Sequence, residues 1–61
     1  MPVITIEGPP IDVEKKRALC CEITDAMERA YGIPREAFVI IMHDTKRENV
    51  SVGGTLLCDR H

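Results

Sequence analysis

Residues 38–42, Phe-Val-Ile-Ile-Met, are apolar at every position. A strand that alternates apolar and polar residues can leave one face to water, but a continuous run rich in β-branched residues calls for cover on both faces. A turn signal lies ahead of it and His43 and Asp44 follow, which bounds it as a buried strand. Val3, Ile4, Thr5 and Ile6 are also strand formers and follow Pro2, a residue tolerated at a strand's first position, so a first strand is expected to run to Glu7 or Gly8. About 30 residues lie between the two strands, enough for a crossover helix and hence for a parallel pair.

The intervening segment is helical by its own pattern. Gly8, Pro9 and Pro10 break the chain, Asp12 is suited to the N-cap, and Glu14 in the first turn faces the positive end of the helix dipole. At 100° per residue, Val13, Leu19, Cys20, Ile23, Ala26, Met27, Ala30 and Tyr31 share one arc, interrupted by Lys16. The opposite arc carries Glu14, Arg17, Glu22, Thr24, Asp25, Glu28 and Arg29 and is expected to be solvated, with Asp25 and Arg29 at pairing distance along the surface. Gly32 suits the left-handed position past the last turn, Ile33 can pack back on the helix, and Pro34 forbids continuation, so the helix should end at Tyr31. Beyond residues 44–49, Val50 and Val52 alternate around Ser51, and Gly53-Gly54 signals a tight turn into a return strand over residues 55–58. Asp59, Arg60 and His61 are expected to fray.

The fold class is therefore α/β (α+β): a β-α-β unit with parallel strands and a C-terminal β-hairpin, residues 1–61 forming a single domain. One helix covers one sheet face, so the other must be covered by a second copy. Composition points the same way. With no Trp, one Tyr and one Phe in 61 residues, the chain has little aromatic area, and domains below about 70–80 residues rarely stabilise themselves by their core alone. A homo-oligomer is the expected remedy.

Eight Lys and Arg against ten Asp and Glu give a net charge of −2, without the basic excess that a phosphate-backbone binder uses; nucleic acid is excluded as the expected partner. No run nears the roughly 18 apolar residues of a membrane span, and the first residues lack a basic, cleavable leader. Three cysteines without an export signal are expected to be reduced thiols, which points to the cytoplasm.

Few residues offer chemistry. Cys20 and Cys21 diverge by about 100° on the helix and cannot jointly chelate a metal; Cys20 and Cys58 are expected to pack, and Cys21 to be an exposed thiol. His43 ends a strand without an evident partner, and His61 is terminal. No metal-ligand spacing is present, so no metal is expected. Lys46 and Arg47 form a basic pair in a polar loop, either a solvated turn or a landing point for a carboxylate. Pro2 stands apart. Loss of Met1 would leave it as a terminal secondary amine, a group with an ordinary pKa near 7.7–8.0 that apolar neighbours such as Ile4, Ile6 and Ile40 would lower toward neutrality. Such an amine can move a proton between an enol oxygen and carbon.

Met1-Pro2, the V-I-T-I-E strand, the capped helix, P-R-E-A-F-V-I-I-M-H-D and E-N-V-S-V-G-G together resemble the 4-oxalocrotonate tautomerase family over essentially the whole chain. The resemblance implies dimers that join two-stranded sheets, a hexamer built as a trimer of dimers, no cofactor, and Pro2 as general base for keto-enol tautomerisation of a small-molecule enol or 2-oxo acid. It also exposes departures. Where the family's best-known members place one arginine after the first strand and another at the start of the second, this chain has Pro9, Pro10 and Ile11, and Val39; the aromatic residue before the hairpin is Val50. Arg35, Lys46, Arg47 or Arg60 of a neighbouring subunit are the available substitutes, and the substrate-binding residues are left open. The alternative is a non-catalytic oligomeric binding or structural protein of the same fold.

Overall fold

Strand β1 (Val3–Gly8) and strand β2 (Val39–Asp44) pair in parallel, from Val3 opposite Val39 to Gly8 opposite Asp44, with helix α1 (Val13–Tyr31) between them in sequence. The computed structural model describes residues 1–60; His61 lies outside the described residues. β2 starts one residue later than its apolar run. The Phe38 N–H closes a 3-10 turn, Arg35–Ala37, by donating to the Arg35 carbonyl at 3.2 Å. It also runs two residues further, through His43 and Asp44, because β1 still offers Glu7 and Gly8 as partners there.

The caps of α1 are those its sequence dictates. The Asp12 side chain accepts from the Lys15 N–H at 2.8 Å, and Gly32, at φ 66°, donates its N–H to Glu28. α1 lays Leu19, Cys20, Ile23 and Met27 toward one sheet face, where Ile4, Ile6, Ile40 and Met42 are half-buried. Two expectations for the helix need correction. Val13, Ala26, Ala30 and Tyr31 of the apolar arc stay exposed, because a two-stranded sheet is too narrow to cover so wide a stripe. Asp25 and Glu28 of the polar arc are half-buried, and Asp25 pairs with Arg35 rather than with Arg29, since the chain returns over this end of the helix.

After a 3-10 turn at Arg47–Asn49, strands β3 (Ser51–Val52) and β4 (Thr55–Leu56) form the expected hairpin. Gly53 and Gly54 have φ of 61° and 85°, the sign combination of a type I′ turn, whose twist matches that of the strands it joins. The return strand is shorter than expected, because Leu57–Asp59 coil into a 3-10 turn and the Leu57 N–H donates to the Val50 carbonyl at 2.8 Å. Asp59 and Arg60 are part of this turn rather than frayed, the Arg60 N–H reaching the Leu57 carbonyl.

None of the described residues is fully buried. The outer sheet face presents Val3, Thr5, Glu7, Ile41 and His43 to solvent, Val3 at 52% and Ile41 at 43% exposure, so the buried strand expected from the sequence is only half-buried. Cys20 is half-buried and Cys58 is exposed, not packed. The radius of gyration is 15.0 Å, against about 10.5 Å for a compact domain of this length. The accessible surface is 4797 Å², against about 4000 Å² for a compact monomer of this mass. Among the described residues no helix is long and apolar enough to cross a membrane.

Candidate active site

Pro2 enters the structure one residue ahead of β1. Its carbonyl accepts the Val39 N–H at 3.0 Å, which extends the sheet ladder by one rung and ties Pro2 to the first residue of β2. The ring is half-buried. Ile4 and Ile40, opposite each other in register and half-buried, are its apolar neighbours along the ladder. Ile6, expected to help desolvate the amine, lies four residues along the strand, about 13 Å away by strand rise, and is too distant to do so.

Two contacts hold the entry to β2 against the end of α1. Arg35 Nη1 donates to Asp25 Oδ1 at 2.8 Å and to Glu28 Oε1 at 2.7 Å, and Tyr31 and Phe38 meet edge to face with ring centroids 5.8 Å apart. The hydrogen bond to Asp25 raises the guanidinium's pKa above its ordinary value; partial desolvation opposes the rise, and Glu28 adds to it. With both carboxylates engaged, Arg35 is a structural clamp and not a vacant cation for substrate. Arg35 Nη2 also lies 4.0 Å from Cys21 Sγ, the exposed thiol.

A concavity lies at the other end of β1, lined among others by Glu7, Pro9, Thr45, Arg47, Val50 and Leu57. Its walls are pinned to one another. Thr45 donates to the Gly8 carbonyl through both its N–H (2.8 Å) and its Oγ1 (3.1 Å), and Arg47 Nη2 donates to the Leu57 carbonyl. Pro9, from the loop Pro9-Pro10-Ile11 where the family resemblance expects an arginine, and Val50, where it expects an aromatic side chain, are thus brought to one place, and Arg47 is beside them. From Pro2 to Gly8 the strand rises about 20 Å, so a small molecule cannot touch Pro2 and Arg47 of one protomer at once. The sequence separated Lys46 from Arg47 by nothing; the structure does, since both are exposed but only Arg47 lines the concavity and bonds the Leu57 carbonyl. Lys16, the one interruption of the apolar arc, pairs with Asp44 at 2.6 Å, and His43 is exposed at the end of β2.

A family model described as tautomerase enzyme matches residues 2–60. The chain belongs to the tautomerase family. Among solved structures, this family member is similar to DmpI from Archaeoglobus fulgidus, with 41% identity, 95% of this chain and 100% of that one covered, and a TM-score of 0.86. A 4-oxalocrotonate tautomerase homologue is 29% identical over 100% of this chain and 98% of its own, also with a TM-score of 0.86. The 4-oxalocrotonate tautomerase isozymes of Methylibium petroleiphilum give 33% identity, coverage of 93% and 94%, and a TM-score of 0.80. No curated protein matches the chain significantly. The β-α-β unit with its hairpin is therefore the tautomerase fold, and a tautomerase-type activity is the function its family carries.

Proposed function

We propose that the chain is a cofactor-independent isomerase that interconverts an enol and its 2-oxo acid, with Pro2 as the acid-base group once Met1 is removed. The observation that carries this reading is the Val39 N–H bond to the Pro2 carbonyl, which gives the residue a defined place at the mouth of the sheet in a member of the tautomerase family. The neutral amine takes the enol hydroxyl proton, the O–H electron pair becomes the carbonyl π bond, and the carbon end of the shifting double bond takes a proton back from the prolinium. The base is regenerated, so no redox partner is needed.

The active unit is a homo-oligomer, a hexamer assembled as a trimer of dimers, working in the cytoplasm, with residues 1–61 as its single domain. The exposed outer sheet face and the excess surface of the protomer support assembly. The second reading, a non-catalytic binding or structural protein, is favoured by one observation: Pro9, Pro10 and Ile11 in the loop and Val39 in the strand stand where the family's arginines would be.

The test uses protein whose first residue is verified by mass spectrometry as Pro2. Ketonisation of 2-hydroxypenta-2,4-dienoate and of 2-hydroxymuconate is followed beside a Pro2→Ala variant, which is expected to lose about 10²- to 10⁴-fold in kcat. Equal rates in both proteins, at the level of buffer, would favour the binding protein.

A further inference from the structure

We infer that Arg47 is the residue that binds the ligand's carboxylate, and that the ligand carries one carboxylate rather than two. The inference rests on the proposed isomerase only for the identity of the reaction; the binding claim stands on the concavity itself.

Arg47 is the one basic residue in the lining described above, and among the described residues no carboxylate lies within salt-bridge distance of it. The bond from Nη2 to the Leu57 carbonyl satisfies part of the guanidinium and fixes its plane, leaving further donors of the fork for a ligand. The surrounding bonds of Thr45 to Gly8 and of Leu57 to Val50 hold the walls in place, so the site is preformed. Asn49 and Ser51 add uncharged polar groups to the lining, and Pro9 offers no N–H with which to bind an anion.

Glu7 decides the second half of the inference. It is the acidic residue of the same lining, and it is not paired with Arg47. A ligand with a carboxylate on Arg47 meets a like charge if it presents a second carboxylate toward Glu7, but a hydrogen-bond acceptor if it presents a hydroxyl. The pattern of one cation and one anion therefore selects a mono-anionic 2-oxo acid or enol. Because Pro2 of the same protomer is about 20 Å away by strand rise, the proton-transferring Pro2 must come from another copy.

The experiment compares 2-hydroxypenta-2,4-dienoate, with one carboxylate, and 2-hydroxymuconate, with two, on the processed protein. Wild type should favour the monocarboxylate in kcat/KM. Arg47→Ala should raise its KM about 10- to 100-fold with kcat nearly unchanged. Arg47→Lys, which keeps the charge but loses the fork, should recover part of that loss, and it stands in should the alanine variant fail to fold. Glu7→Gln should improve kcat/KM for the dicarboxylate several-fold relative to that for the monocarboxylate. An unchanged KM in Arg47→Ala or Arg47→Lys, or a wild-type preference for the dicarboxylate, would overturn the inference. Binding of crotonate, a non-reacting monocarboxylate, followed by NMR titration separates the two readings. Crotonate bound by wild type and by Pro2→Ala but lost in Arg47→Ala supports the site even if no turnover is found; no crotonate binding to wild type sinks it.

Discussion

At the scale of single residues, the Gly53-Gly54 turn shows how a local rule can be sufficient. Both residues have positive φ, and a Cβ built on either would meet nothing within 4 Å, so a substitution there costs conformational energy and not steric overlap. Gly54→Val should therefore lower unfolding free energy by about 1–2 kcal/mol, whereas Gly53→Asn should be tolerated within a few tenths of a kcal/mol; chemical denaturation of the two variants checks both. Such a turn is legible in sequence because the reason for it lies within two residues. Pro2 was legible in a weaker sense: its amine chemistry follows from its position after Met1, but its bond to Val39 does not. Arg47 was visible only as half of a basic pair, since nothing local tells a solvated arginine from one anchored by a carbonyl ten residues later.

At the scale of elements, the junction between α1 and β2 is where the sequence pattern and the structure part. Arc positions assign Asp25 and Glu28 to a solvated face, and they are right about α1 in isolation. What the periodicity of α1 cannot contain is Arg35, which arrives from outside the helix and draws both carboxylates to itself. This clamp, with the Tyr31–Phe38 contact, sets where Phe38 and Val39 lie and hence where the Val39 N–H meets Pro2. Arg35→Met should lower Tm by about 3–6 °C, the small effect due to half-exposed ion pairs, and should reduce kcat more than it changes KM. Because the guanidinium's pKa is raised above an already high value, its contribution is present below the unfolded pKa and lost only as pH rises through the folded one. The Tm difference between wild type and Arg35→Met should therefore stay flat from pH 6 to pH 10 in a thermal-melt series; a difference that fades within that window would assign the effect to another group.

At the scale of the whole molecule, the isolated protomer is an incomplete object. It has no fully buried residue among those described, exposes Val3 and Ile41 on the sheet, and extends over 43 × 25 × 15 Å. Its Tm should accordingly rise with protein concentration, as expected when folding and assembly are linked. Ile41→Asp, harmless on a face meant for water, should shift the mass in solution from oligomer to protomer and unfold the chain at working temperature; analytical ultracentrifugation and circular dichroism would show both. An Ile41→Asp variant of unchanged mass and Tm would mean that this face is not the interface. The sequence by itself determined the order of elements, the helix caps, the parallel strand pair, the hairpin turn and the need for a second copy, since propensity, periodicity and burial demand are carried by the residues of each segment. Only the tertiary structure decided which charges meet: Arg35 with Asp25 and Glu28, Lys16 with Asp44, Arg47 with the Leu57 carbonyl. Those partners are separated by 7 to 28 positions, and long polar side chains find such partners through the path of the backbone, which no local pattern encodes.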